Sequence, residues 1–120
     1  SITGTNPRSI SVWFNPDVTQ NREIMGYGTQ SAKQMWDILL YNGKVGVHLY
    51  NSAAEAGISY IVGEWQCVTF TYTHPTIKSY MNGVYNTLYS NTDINTGEAH
   101  NLKIGDGAYG GGYNYFNGKI

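Results

Sequence analysis

Hydrophobic and polar residues alternate over most of the chain, and this alternation predicts β-strands. In the segment "SISVWFN", Ile10, Val12 and Phe14 occupy every second position, so that one face of the strand is apolar. In "WQCVTFTYT", Val68 and Phe70 follow the same rule. No segment sustains the spacing of apolar residues that an amphipathic helix requires. The chain is therefore predicted to be all-β.

Asn-Gly pairs separate the strand-like runs and predict tight hairpins. Asn42-Gly43 and Asn82-Gly83 each lie between two such runs, and both residue types tolerate the positive φ of a type I′ turn. The whole pattern gives about ten short strands at spacings of roughly 8–12 residues, which is typical of a β-sandwich or barrel. Because no break in composition marks a boundary, residues 1–120 are predicted to form a single domain.

The composition fits a folded β-rich protein and argues against several partners. Only 12% of the 120 residues are charged, the net charge is −1, and the chain has 11 tyrosines. A disordered chain would carry more charge and fewer aromatic residues. The few basic residues are scattered, so we expect no binding of nucleic acid. No apolar run reaches the roughly 18 residues of a membrane-spanning helix, so we expect no membrane insertion.

The reactive side chains give no sign of catalysis. Cys67 is the only cysteine, which excludes an intrachain disulfide, and a buried, inert thiol is expected inside its strand. No two acidic residues stand at positions i and i+2, the spacing that places both on one strand face. Glycoside hydrolysis needs two carboxylates beside the scissile bond. The histidines, His48, His74 and His100, fit a sheet surface and two turns, and no nucleophile motif accompanies them.

Four segments occur in an order that resembles one protein family. The chain contains "SISVWFNP", "EWQCVTFTYT", "IKSYMNGV" and a closing "LKIGDG…YFNGKI". It thereby resembles the laminin-G-like domains of the concanavalin A-like lectin/glucanase superfamily over most of its length. The resemblance implies a jelly-roll sandwich of two antiparallel sheets. In such a sandwich "DGAYGGGYN" is a loop between two strands, and Phe116 is a core residue.

The chain departs from the family pattern at both ends. Family members begin one strand earlier and continue past the closing motif with a further strand. The resemblance therefore implies a sandwich that lacks its first and last strands, and a chain that is a fragment or processed part of a longer protein. Because open sheet edges pair readily with other strands, we expect the parent chain or a second copy to supply the missing strands.

The loops combine tyrosine with asparagine, and this combination favours carbohydrate binding. Sugars present apolar C–H faces that stack on aromatic rings, and their hydroxyl groups bond to amides and carboxylates. The candidate ligand-binding residues are Tyr109, Tyr113, Asn114, Tyr115 and Asp106, followed by Trp36 and Tyr50 at sheet positions. Tyr115 fits a half-buried sheet position equally well, and exposed tyrosines also occur at protein interfaces.

The resemblance suggests calcium as a possible cofactor, because many laminin-G-like domains bind it at loop edges. The segment "DINTGE" and Asp106 offer oxygen ligands, but no pair of aspartates is present to anchor an ion. Binding of Ca²⁺ is therefore possible, and no residue is assigned as a metal ligand.

Two functions from different classes are compatible with these features. The first is a non-catalytic, lectin-like module outside the cell or at its surface, which binds a glycan or a surface glycoprotein in adhesion. The second is a structural module that assembles with copies of itself into oligomers or filaments through its open sheet edges.

Overall fold

The structure is a computed structural model that describes residues 2–50, 53–90, 92–108 and 115–120, with the backbone alone for 53–56. These residues contain no helix, and so none long and apolar enough to cross a membrane. They form the strands β1 (Arg8–Pro16), β2 (Arg22–Gly28), β3 (Met35–Tyr41), β4 (Lys44–His48), β5 (Ala53–Ser59), β6 (Gln66–Thr73), β7 (Thr76–Met81), β8 (Val84–Tyr89), β9 (His100–Ile104) and β10 (Gly118–Lys119). The all-β prediction is confirmed.

The strands pack as two antiparallel sheets, each with five strands among the described residues. The first sheet has the order β10-β1-β6-β7-β8, and the second sheet has the order β5-β4-β3-β2-β9. Neighbours in each sheet are not all consecutive in sequence, so the chain crosses between the two layers several times. This arrangement confirms the jelly-roll sandwich of two antiparallel sheets.

Both predicted Asn-Gly hairpins form. Asn42 and Gly43 have φ values of 49° and 74° and join β3 to β4, while Asn82 and Gly83 have 51° and 80° and join β7 to β8. Two consecutive residues with positive φ give the turn a twist that matches the twist of the strands on either side. The turn residues therefore fix the register next to the turn in both hairpins, and the β7–β8 register then shifts between Ser79 and Tyr80.

The core lies between the two sheets and takes its side chains from alternate strand positions. The buried residues Phe14, Val68, Phe70, Tyr72 and Ile77 come from the first sheet, and Trp36, Ile38, Leu40, Val45 and Val47 come from the second sheet. Phe116 is partly buried and packs against this core, as the resemblance implied. The alternation seen in the sequence therefore identifies the core-facing positions of the strands.

The expectation of a buried Cys67 is wrong, because the thiol is partly exposed. Its neighbours on β6, Gln66 and Val68, are both buried. Since side chains alternate along a strand, Cys67 lies on the outer face of the first sheet. Its cross-strand partner Trp13 is 59% exposed and shares that face.

Arg8 is a buried cation that ties the N-terminal segment to the sandwich. Its side chain is 5% exposed, and its guanidinium lies 5.7 Å from the ring centroids of both Trp36 and Tyr72. It donates hydrogen bonds to Thr96 Oγ1 at 2.6 Å and to the Gly4 carbonyl at 2.7 Å. Arginine therefore links two connecting segments across the end of the core.

Candidate functional site

Polar side chains from three neighbouring strands meet on the outer face of the second sheet, the face turned away from the core. The β3–β4 register pairs Asp37 with His48, and the β2–β3 register pairs Glu23 with Leu39. Cross-strand partners share a face and side chains alternate along a strand, so these residues lie opposite the core residue Ile38. One potential ligand atom from each of Glu23, Asp37 and His48 lies within 4.8 Å of the other two. We call these three residues the acidic cluster.

The loop after β9 covers the acidic cluster. Ala108 is fully buried, and its amide donates a hydrogen bond to Asp37 Oδ2 at 3.0 Å. Gln30 Nε2 donates to the Ala108 carbonyl at 3.1 Å. As a result, Asp37 is 0% exposed and Glu23 is 4% exposed. Carboxylates on the outer face of a sheet are ordinarily solvated, so this burial distinguishes the cluster from the rest of the surface.

Two glycines make room for the Asp37 carboxylate. A Cβ atom at Gly26, the cross-strand partner of Asp37 on β2, would overlap that carboxylate. A Cβ atom at Gly107 would lie 2.5 Å from both Asp37 Oδ2 and Glu23 Cγ. Asp37 is therefore held between the sheet and the loop at positions where only glycine allows so close an approach.

Burial also changes the acidity of the cluster. Desolvation, followed by repulsion from the Glu23 charge, raises the pKa of Asp37 from its ordinary 3.8 to about 8, although the hydrogen bond from Ala108 opposes the change. Desolvation also raises the pKa of Glu23, and the nearby charge of Asp106 acts in the same direction. Both carboxyl groups thus resist carrying a negative charge unless a positive partner is present.

Two oxygens of the cluster lack a hydrogen-bond partner. Asp37 Oδ1 and Glu23 Oε2 are buried, and no donor reaches them from the part of the chain that the structure describes. Most buried polar atoms in proteins have a partner. These oxygens therefore mark a position where a further group can bind.

Asp106, a residue singled out from the sequence, lies beside the cluster. Its Oδ2 accepts a hydrogen bond from Lys103 Nζ at 3.4 Å, and its Oδ1 accepts one from the Gly107 amide at 2.9 Å. Its charge raises the pKa values of both Glu23 and Asp37. The loop "DGAYGGGYN", which contains most of the candidate ligand-binding residues, therefore begins directly beside buried carboxylates.

An open groove of about 380 Å³ runs along the β3–β4 hairpin and reaches Tyr89 of β8. Its lining includes Leu39 and Gly46, which are two residues from Asp37 and His48 on the same strands, and also Lys44 and Tyr41. Tyr41 is 47% exposed. The groove therefore offers an aromatic ring and a cation next to the covered carboxylates.

A model of the family described as the concanavalin A-like lectin/glucanases superfamily matches residues 1–120. The chain belongs to this superfamily. The resemblance in the order of the sequence motifs is thereby confirmed. A search of curated proteins finds no match to the chain.

A solved structure shares the fold of this concanavalin A-like domain. Domain 4 of AbnA, an extracellular GH43 arabinanase from Geobacillus stearothermophilus in complex with arabinotriose, has a TM-score of 0.72 and 18% sequence identity to it. The similarity covers 98% of the present chain and 58% of the other. The chain therefore spans little more than half the length of that structure, and at this identity the likeness concerns the fold.

The other residues singled out from the sequence are spread over the concanavalin A-like domain. Tyr109, Tyr113 and Asn114 lie outside the described residues. Tyr115 is 64% exposed and follows them directly. Tyr50 lies two residues beyond β4, is partly buried and has a φ of 58°.

Trp36 occupies an inward position of β3 and is 1% exposed, so it lies in the core rather than on the surface of the sheet. Its cross-strand partner Tyr27 is also buried. The ring forms part of the wall of a shallow groove of about 300 Å³, together with Ile10, Met25 and Leu102. Trp36 therefore contributes to a groove only through the small part of its ring that is accessible.

The sequence did contain a signal for part of the acidic cluster. A two-residue turn at Asn42-Gly43 pairs residue 41 with 44, and counting outward pairs Asp37 with His48, as the structure shows. The spacing of carboxylates along one strand does not reveal the cluster, because its residues come from different strands. Glu23 carried no comparable signal, since a bulge interrupts the β2–β3 register next to it.

Proposed function

We propose that the chain is a non-catalytic carbohydrate-recognition module that acts outside the cell or at the cell surface. The observation that carries the proposal is the open groove along the β3–β4 hairpin, together with the loop after β9 that Asp37 anchors to the same sheet. Ligand sites are typically concave and combine apolar or aromatic walls with a few fixed polar groups.

The groove and the loop after β9 each provide chemistry that a sugar requires. Tyr41 and Lys44, which line the groove, offer an aromatic face and hydrogen-bond donors. On the loop, Asp106 is held by Lys103 at 3.4 Å, and Tyr109, Tyr113 and Asn114 follow it in the sequence. We expect the glycan to contact both the groove and these residues, with Tyr115 as a further contact.

The comparisons support this proposal at the level of ligand class. The superfamily to which the chain belongs contains lectins by its description, and the structurally similar arabinanase domain is in complex with arabinotriose. That arabinanase is also described as extracellular. Arabino-oligosaccharides are therefore the first ligands to test, followed by a wider set of glycans and surface glycoproteins.

The absence of catalysis in this proposal follows from the position of the carboxylates. A glycosidase needs two carboxyl groups on either side of the scissile bond. Glu23 and Asp37 are almost fully buried beneath the loop, and the amide of Ala108 occupies one Asp37 oxygen. We therefore expect no release of reducing sugar when the protein is incubated with arabinan or β-glucan.

The binding experiment is a calorimetric titration of the chain with arabinotriose and longer arabino-oligosaccharides, together with a glycan array. We expect saturable binding that is lost in Tyr109→Ala and in Tyr113→Ala. Trp13→Ala is the matched control, because Trp13 is 59% exposed but lies on the first sheet. Silence across the array, or an equal loss in the control, would contradict the proposal.

Self-assembly is a second candidate function, favoured by one feature of the sandwich. The edge strand β9 exposes two large apolar side chains, Leu102 at 50% and Ile104 at 66%. A sheet edge with apolar residues is a surface on which another strand can pair. Light scattering would then show oligomers or filaments that dissociate in Ile104→Lys, whereas a monomer at all concentrations would argue against assembly.

A further inference from the structure

Glu23, Asp37 and His48 come from three adjacent strands and converge on one small volume beneath the loop after β9. Carboxylate oxygens and imidazole nitrogens are ligands for first-row divalent cations in proteins. We propose that these three residues bind one such cation, and that Zn²⁺ is the ion that fits them best. This site lies below the loop, so it goes beyond the carbohydrate groove and does not depend on it.

The unpartnered oxygens are an observation independent of the clustering. Asp37 Oδ1 and Glu23 Oε2 are buried, and no donor among the described residues reaches either of them. The nearby cations make their hydrogen bonds to other groups, since Lys103 Nζ bonds to Asp106 and Arg22 donates to the Asn21 carbonyl at 2.8 Å. Their charges lower the pKa values of Asp37 and Glu23 without outweighing desolvation. A divalent cation would satisfy both oxygens and balance the charge of the two carboxylates.

The donor set favours a transition metal over calcium. Ca²⁺ takes six to eight oxygen ligands, whereas the two carboxylates offer at most four oxygens, and Asp37 Oδ2 already accepts a hydrogen bond from Ala108. A histidine together with two carboxylates is a set that Zn²⁺ accepts in tetrahedral geometry, with a fourth position left for water or another ligand. The calcium suggested by the family resemblance therefore fits this site poorly.

The spacing of the ligand atoms is close to what the ion needs. In tetrahedral coordination at about 2.1 Å from Zn²⁺, two ligand atoms lie about 3.4 Å apart. The three atoms of the cluster lie within 4.8 Å of one another. Coordination of the ion by all three therefore requires the side chains to close in by about an ångström.

The surroundings hold the ligands in the orientation that coordination requires. The Ala108 amide fixes Asp37 through Oδ2, which leaves Oδ1 as the oxygen available to the ion. Gly26 and Gly107 provide the space that the Asp37 carboxylate occupies, because a Cβ atom at either position would meet it. Such supporting contacts orient metal ligands and contribute strongly to affinity.

The decisive test uses the unaltered chain, stripped of metal with a chelator and titrated with ZnCl₂. Ring nitrogens of His48, His74 and His100 are followed by long-range ¹H–¹⁵N NMR, and bound metal is counted by mass spectrometry. We expect one equivalent of Zn²⁺ to shift the His48 ring alone. No shift of His48 at millimolar Zn²⁺, or a first shift of another histidine, would overturn the proposal.

Variants add a second, independent measurement. Asp37→Asn should weaken Zn²⁺ binding by more than about 100-fold, beyond the 10–100-fold that loss of a merely supporting group costs. Glu64→Gln is the control, because Glu64 is an exposed carboxylate in the turn before β6, and it should bind Zn²⁺ like the parent. Equal affinity of Asp37→Asn and the parent, or tighter binding of Ca²⁺ than of Zn²⁺, would overturn the assignment. Sugar binding is titrated separately with the unaltered chain, so that failure of one proposal is distinguishable from failure of the other.

Discussion

The amide of Ala108 donates a hydrogen bond to Asp37 Oδ2 at 3.0 Å, although the two residues are 71 positions apart in the sequence. The contact joins the loop after β9 to the outer face of the second sheet. It has an energetic cost, because it keeps a carboxyl group in an environment from which water is excluded. A feature of this kind is more often found at a functional site than in a purely structural part of a protein.

The close approach of loop and sheet can be tested at Gly107. Gly107→Ala places a Cβ atom 2.5 Å from Asp37 Oδ2 and from Glu23 Cγ, so the loop must move away from the sheet. We expect the free energy of unfolding to fall by about 1–3 kcal/mol, as for overpacked interiors, in urea denaturation followed by tryptophan fluorescence. Gly57→Ala is the control, since its Cβ would meet chiefly the Lys44 side chain, a long flexible chain that can adopt another rotamer. Equal stability of the two variants would contradict the close packing of the loop.

The buried guanidinium of Arg8 should be essential for stability. Arg8→Lys keeps the charge but loses the fork that reaches Thr96 Oγ1 and the Gly4 carbonyl, and it loses the planar contact with the rings of Trp36 and Tyr72. We expect a loss of about 2–4 kcal/mol in the free energy of unfolding.

The control for Arg8 is Arg22→Lys. Within the described part of the chain, Arg22 donates to the neighbouring Asn21 carbonyl in an exposed contact. Its replacement should change the free energy of unfolding by no more than about 0.5 kcal/mol. A small effect at both positions would show that the Arg8 network contributes little to the fold.

In the β7–β8 turn, the contribution of a side-chain hydrogen bond and that of backbone conformation can be separated at one residue, Asn82. Asn82 has a φ of 51°, and its Oδ1 accepts a hydrogen bond from the Cys67 amide at 2.8 Å. Asn82→Gly removes the side-chain bond but tolerates the φ, whereas Asn82→Ala loses both advantages. We expect thermal denaturation to rank the parent above the glycine variant and the glycine variant above the alanine variant, with steps of about 1 kcal/mol. An alanine variant as stable as the glycine variant would show that the backbone conformation is not strained.

The fold could be predicted because its information is local. Alternation places Phe14 and Phe70 in the core, and the Asn-Gly pairs fix two hairpins at Asn42 and Asn82. Alternation also explains Trp36, whose inward position follows from its parity with Ile38 on β3. Its aromatic character alone suggested a surface position for ligand binding, but parity along the strand decides which face a side chain occupies.

The acidic cluster could not be predicted in full, because its assembly is not local. The pairing of Asp37 with His48 follows from one hairpin, but Glu23 joins through the β2–β3 pair, whose register shifts at a bulge. The loop that buries the cluster arrives from β9, which lies next to β2 only in the folded sheet. Strand order of this kind leaves no pattern in the spacing of residues along the chain. The burial of the two carboxylates therefore could not be predicted from the sequence.

The buried carboxyl of Asp37 should make stability depend on pH when metal is removed. Its pKa is about 8 in the folded protein, because of desolvation first and the Glu23 charge second, and 3.8 is its ordinary value. The folded state therefore holds the proton more tightly than the unfolded state does. By linkage, this contribution to stability is complete below about pH 4 and is lost as the pH rises towards 8.

We expect the chain in the presence of a chelator to be less stable to urea at pH 8 than at pH 5, and Asp37→Asn to reduce this difference. Glu23, whose pKa is raised in the same direction, leaves a residual slope in that variant. Asp17→Asn is the control, because Asp17 is exposed, and it should keep the full slope. A parent chain that gains stability between pH 5 and pH 8 would mean that Asp37 is ionised in the fold. A positive group would then have to lie within reach of its carboxylate, since an isolated buried charge is too costly to persist.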